Sequence, residues 1–171
     1  MTITLEKADI RDLPALYALQ VASFAPLYEV YHDDDTSPAA EPVENLEKRM
    51  MQPESIHYQI LADGAAVGAL RIKKLPAGRY HLAQISVLPS YQGQGIAQKA
   101  LTLMEQTVPD AAVWELETIL QEKRNCHLYE KMGYRQTGAQ RVISEAMTLT
   151  TYEKRLHQEN RPQAPLRQIS T

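Results

Sequence analysis

The apolar positions along the chain switch between two periods, and the switches outline its elements. Ile3 and Leu5 alternate with polar neighbours, the two-residue period of a strand. Leu13, Leu16, Tyr17, Val21 and Phe24 then recur at helical spacing. Asp12 before them suits an N-cap and Pro14 a first turn. Pro26 is expected to end this helix. Residues 29–42 are acidic and broken by Pro38 and Pro42, which predicts a loop or short helical pieces, and 45–51 read as helical. Strands are expected over 57–62 and 65–75, joined by the hairpin pair Asp63-Gly64. Pro76 and Gly78 mark a turn before a strand over 80–88 that stops at Pro89. Ala97, Ala100, Leu101, Met104 and Val108 share one face of a helix expected from Ile96 to Thr107. A strand over 111–118 and a helix over 121–132 follow, with Gly133 placed as its C-terminal cap. Gly138 is expected to separate two last pieces, the final strand covering 145–152.

The order is therefore strand, two helices, three strands, helix, strand, helix, two strands. A hairpin region followed by strand-helix-strand-helix implies a mixed sheet covered by helices, an α/β (α+β) fold. With 171 residues, the chain is long enough for one domain with a real core. We expect that domain over 1–156 and a polar tail over 157–171, where Pro162 and Pro165 stand among few apolar residues. The formal net charge of −3 gives no electrostatic reason for a nucleic-acid partner. No window approaches the roughly 20 apolar residues of a membrane span. The N-terminus lacks a basic start with an apolar run behind it, so no secretory signal is expected. Cys126, the one cysteine, can form no internal disulfide. These features together predict a cytoplasmic protein.

The run Ile85-Ser86-Val87-Leu88-Pro89-Ser90-Tyr91-Gln92-Gly93-Gln94-Gly95-Ile96-Ala97 reads as strand, turn, glycine-rich loop and helix. Helix N-termini carry unpaired N–H groups and partial positive charge, and glycines let a backbone approach a ligand closely. The run is thus suited to cradle a phosphate or pyrophosphate. A dinucleotide fingerprint would need a third glycine where Gln98 stands; a P-loop would need Ser or Thr after Lys99, where Ala100 stands.

The wider pattern, Val87-x-Pro89 and then Gln92-x-x-Gly95-x-Ala97, resembles motif A of the GCN5-related N-acetyltransferase (GNAT) family. The later block Asn125-Cys126-His127-Leu128-Tyr129-Glu130-Lys131-Met132-Gly133-Tyr134 is similar to that family's next helix and its exit. The resemblance covers about residues 3–154, strongest over 81–138. It implies a single-domain, mostly antiparallel sheet of seven strands with one splayed pair. It also implies acetyl-CoA as cosubstrate and a primary amine of a small molecule or peptide as acceptor. The backbone of Ile85, Ser86 and Val87 would bind the pantetheine arm by strand addition. The N–H of Val87 would stabilise the oxyanion formed as the amine attacks the thioester directly. The backbone of Gln92, Gly93, Gln94, Gly95, Ile96 and Ala97 would hold the pyrophosphate. Asn125 would contact the pantetheine arm and Tyr129 would protonate the leaving thiolate. Their spacing of four puts both on one helix face, and a phenol of ordinary pKa about 10 keeps its proton at neutral pH. A homodimer is expected by the same resemblance. A non-catalytic acetyl-CoA sensor is the alternative, and Tyr129 argues against it.

The base is less legible. Gln84 and Ser86, on the strand that often supplies it, are poor bases; Glu115, Glu117, His81 or a water chain are the candidates. Cys126 reads as a buried structural thiol. No metal site is expected: His32 with Asp33, Asp34 and Asp35 reads as a solvated acidic loop. Glu29, Asp33, Asp34, Asp35, Glu41 and Glu44, with Tyr28 and Tyr31 among them, would form an acidic rim attracting cationic amines.

Overall fold

A computed structural model of the chain describes residues 1–156; the polar tail expected beyond lies outside the described residues. The strands are β1 (Ile3–Lys7), β2 (Ser55–Ala62), β3 (Ala65–Lys74), β4 (Arg79–Val87), β5 (Val113–Ile119), β6 (Arg135–Val142) and β7 (Thr148–Arg155). They form one sheet in the order β1-β2-β3-β4-β5-β7-β6. The helices are α1 (Leu13–Tyr31), α2 (Val43–Met50), α3 (Ile96–Thr107) and α4 (Lys123–Lys131). Asp63 and Gly64 both take positive φ (48° and 84°), as a two-residue hairpin turn between β2 and β3 requires. Among the described residues only β4 and β5 pair in parallel, and α3 supplies the crossover that a parallel pair needs. Trp114, Leu116, Leu101, Met104 and Tyr152, on β5, α3 and β7, lie in the core with almost no exposure.

Three expectations are corrected. Pro26 does not end α1: it lies inside the helix, which runs to Tyr31 and closes where His32 turns left-handed (φ 48°) and donates its N–H to the Tyr28 carbonyl at 2.8 Å. Pro26 is exposed, and Phe24 and Leu27 beside it are half-buried against the rest of the molecule, so tertiary packing outweighs the lost N–H. The first part of the segment 29–42, expected as a loop or short helical pieces, therefore belongs to α1. Asp12 occupies the N-cap position of α1 but makes no capping bond there; its carboxylate accepts the Asp9 N–H at 2.9 Å, closing a capping box on the short 3-10 turn Ile10–Asp12. Gly138 does not separate the last two strands. It sits inside β6 with φ 92°, where the ladder to β7 slips, and the reversal comes at residues 143–147.

What positions the site is the parting of β4 from β5. Their pairing runs from Arg79↔Val113 to Leu82↔Leu116 and stops. Beyond that point β4 continues against β3 alone and β5 against β7 alone. The split coincides with a bulge: Arg71 faces Gln84 and Ile72 faces Leu82, so Ala83 has no partner on β3. A bulge bends and twists its strand, which turns the rest of β4 away from β5. Close contact holds this bent strand. A Cβ placed on Gly68 would lie 2.1 Å from the Ser86 carbonyl oxygen. Gly68→Ala should therefore lower stability by about 1–3 kcal/mol, the range for overpacking. Urea unfolding checks this; an unchanged midpoint would mean that β3 and β4 separate freely there.

Candidate active site

The open edge of β4 can be read from one hydrogen bond. Leu88 donates its N–H to the Val67 carbonyl at 2.8 Å, so antiparallel alternation turns the backbone of Ser86 and Gln84 towards β3. The N–H and C=O groups of Ile85 and Val87 then face the gap that β5 has left. The Val87 carbonyl accepts the Gln92 Nε2 at 3.0 Å, which ties the following loop to the strand end. Ser86 contributes a buried side chain whose Oγ has no hydrogen-bond partner.

After the short turn Pro89–Tyr91, Gly93 and Gly95 take φ of 78° and 77°, and α3 begins at Ile96. Only glycine takes such angles freely, and the two turns aim the first amides of α3 outward. Gly93, Gly95, Ile96 and Ala97 line a cleft of about 370 Å³ together with Ile85, Ser86, Val87 and Gln92. Gln94, between Gly93 and Gly95, is exposed and does not line the cleft.

Arg124 is a residue the sequence reading missed. It lies on α4, exposed, and lines the same cleft; a Cβ on Gly93 would come within 3.0 Å of its Nη2. The only signal in the sequence is the basic pair Lys123-Arg124 at the start of α4. A guanidinium over a loop of outward amides suits a phosphate. Arg124→Ala should weaken CoA binding about tenfold, one charge-assisted hydrogen bond. Titration calorimetry reads this, and an unchanged affinity would place the phosphates away from Arg124.

Asn125 and Tyr129 project from one face of α4 and line both this cleft and a second one. Tyr129 is buried, with the rings of Tyr134 and Tyr152 about it at 6.0 and 6.1 Å. Burial raises its pKa above the ordinary value of 10, so the phenol is a proton donor across the neutral range. Cys126 is also buried, and its thiol points at the carbonyls of Ile119 and Leu120 at 3.6 and 3.8 Å, as a structural thiol would.

The second cleft, of about 340 Å³, opens on the other side of Tyr129. The two clefts share Phe24, Leu27, Ile85, Asn125 and Tyr129. Of the base candidates, His81 and Glu117 line it and Glu115 does not. Glu115 accepts Arg79 at 2.7 Å and stands 3.6 Å from His81 Nδ1. Burial lowers the His81 pKa below the usual 6.5, against the opposing pull of Glu115 and Glu117, so the imidazole is neutral at pH 7. Of the six acidic residues expected as a rim, Asp33 and Glu41 line the cleft. Glu41 is already paired with Arg49, Asp34 accepts the Tyr28 hydroxyl, and Glu29 and Glu44 are exposed on α1 and α2. Among the described residues no group of three or more His, Cys, Asp or Glu could hold a metal ion.

The model of the acetyltransferase (GNAT) family matches residues 13–134, from the start of α1 to the exit of α4. The chain belongs to this family. The GNAT match takes in the open edge of β4, the glycine loop and the face of α4. A probable N-acetyltransferase family 8 member 5 of Mus musculus is 34% identical over 90 residues, which are 50% of this chain and 40% of that one. This chain thus aligns with less than half of that curated relative. Among solved GNAT-like structures, the ribosomal-protein alanine N-acetyltransferase of Escherichia coli superposes with a TM-score of 0.73 at 16% identity, covering 94% of this chain and 99% of the other. A Thermoplasma acidophilum N-acetyltransferase in complex with coenzyme A gives a TM-score of 0.66 at 16% identity over 91% and 100% of the two chains. A Vibrio cholerae spermidine N-acetyltransferase, solved with CoA and spermine, gives 0.69 at 16% over 88% and 94%. At these identities the structures establish the fold, a mixed seven-stranded sheet with flanking helices. No helix among the described residues is long and apolar enough to cross a membrane.

Proposed function

We propose that the chain is an acetyl-CoA-dependent N-acetyltransferase acting on a primary amine. The observation that carries this is the meeting of two clefts at Ile85, Asn125 and Tyr129, where β4 has lost its partner strand. One cleft has the amides of a helix N-terminus, Arg124 and a free strand edge, which fit a long, phosphate-bearing thioester. The other is of the size of a small-molecule site. The acetyl donor, when bound, supplies an activated carbonyl carbon. The outward backbone groups of Ile85 and Val87 would hold its arm, and Asn125, whose side chain has no hydrogen bond among the described residues, would add a contact to it. The Val87 N–H would take up negative charge on the carbonyl oxygen as the amine attacks. Tyr129 would give its proton to the departing sulfur. Neutral His81 would accept the amine's proton, directly or through water.

Incubating the protein with acetyl-CoA and a panel of primary amines tests this, with thiol release and product mass as readouts. Acetylated amine without an acetylated enzyme is expected. An acetyl group trapped on Cys126 when no amine is present would contradict direct transfer.

A further inference from the structure

The second cleft contains a cation that forms no ion pair among the described residues. Arg71 stands on β3 directly opposite Gln84 of β4, one residue from Ile85 on the open edge. Its side chain lines the cleft, and its Nη1, turned inward from solvent, finds no hydrogen-bond partner among the described residues. Among the described residues Arg71 makes no ion pair; Glu41, the carboxylate that acts on it, is taken by Arg49 and by Gln20, whose Nε2 donates to it at 2.6 Å. Arg49, Arg71 and Glu41 therefore leave one positive charge in excess on this wall. Burial, and then Arg49, push the Arg71 guanidinium down to about 10, still a full cation at neutral pH. Buried charges are kept where something pairs with them, and a guanidinium fork matches a carboxylate in a bidentate manner.

The opposite rim of the cleft is acidic. Asp33 comes from the segment after α1, and Glu117, itself paired with Arg141 at 3.2 Å, from β5 beyond the split. The cleft thus holds the Arg71 cation on its β3 wall, with the Asp33 carboxylate on the wall that follows α1. A polyamine or an amine without an anionic group would leave Arg71 unpaired and face it across the cleft.

We infer that the acceptor is an amine that also carries a carboxylate, of amino-acid type, and that Arg71 binds this carboxylate while the amine lies towards Ile85 and Tyr129. This rests on the N-acetyltransferase reading of the two clefts. Arg71 is thereby a specificity residue and takes no part in acetyl transfer itself.

The test uses matched trios: each common L-amino acid, its amide, and the amine that lacks the carboxyl group, with spermidine alongside. Acetyl-CoA is fixed and thiol release is read. The expected result is a kcat/KM for the free acid at least about tenfold above its amide and its amine, for the side chains that the cleft admits. Arg71→Gln should lower turnover of the acid about a hundredfold, mostly through KM, and change that of the amide less than about threefold. Arg71→Lys, which keeps the charge and loses the fork, should fall between. CoA affinity measured on both variants reports that the cofactor cleft, and so the fold, is intact. Turnover of amides or spermidine equal to or above that of every acid would overturn the inference and leave the acetyltransferase standing. So would equal loss on acid and amide in Arg71→Gln, or acceptance of no carboxylate-bearing amine. Loss of CoA binding by the unaltered protein would instead overturn the acetyltransferase reading itself.

Discussion

Replacing Tyr129 with phenylalanine should lower kcat by about 10²–10⁴-fold, the range for losing a positioned general acid. CoA affinity should stay within about threefold. The substitution removes one oxygen and keeps the ring that packs against Tyr134 and Tyr152, so fold and cleft remain. Burial of this phenol adds a pH signature. Its pKa is raised above 10, so the proton it donates is present throughout the neutral and mildly alkaline range. The wild-type rate should show no fall assignable to this tyrosine as pH approaches 10. Stopped-flow or steady-state thiol release measures both effects. An unchanged kcat in Tyr129→Phe would remove the residue from the acid role and leave it as packing.

Gly95→Glu should weaken CoA binding about a hundredfold or more, roughly 2.7 kcal/mol. The free protein should tolerate it. A Cβ at Gly95 meets nothing within 4 Å, and an acidic residue at the N-terminus of α3 is favourable to the helix. The φ of 77° costs a non-glycine residue about 1–2 kcal/mol. What the carboxylate spoils is the anion site: it places a negative charge where the outward amides would meet a pyrophosphate. Gly95→Ala, which carries the backbone strain without the charge, should lose much less affinity. Calorimetry of the two variants separates strain from charge, and normal binding by Gly95→Glu would put the pyrophosphate elsewhere.

The parts of this molecule that could be read from its sequence are those with local causes. Asp63-Gly64 fixes a hairpin by its own backbone preferences, and the strand-loop-helix through Gly93 and Gly95 announces itself by its glycines. Asn125 and Tyr129 share a helix face by spacing alone, and the structure brings both to the junction of the clefts. The parts that were missed depend on residues far away in the chain. Pro26 looks like a terminator, yet it is exposed on a helix whose neighbouring side chains are packed. Gly68 lies in an apolar strand pattern, and its reason is a carbonyl on the next strand, at Ser86. Arg71 falls at a polar position of β3, and nothing in its neighbours along the chain marks it; it becomes a cation of the cleft only because Gln20, Glu41 and Arg49 lie over that face of the sheet. Of the expected acidic rim Asp33 and Glu41 line the cleft and Glu41 is paired with Arg49, since charge along a sequence does not say which carboxylates are already paired.

Calorimetric titration of the purified protein with acetyl-CoA, CoA and ATP tests the central claim most directly. The account predicts saturable binding of acetyl-CoA and of CoA, with none of ATP, because the free edge of β4 has nothing to pair with in a nucleotide that lacks the pantetheine arm. Absence of binding by both CoA species under native conditions would contradict it.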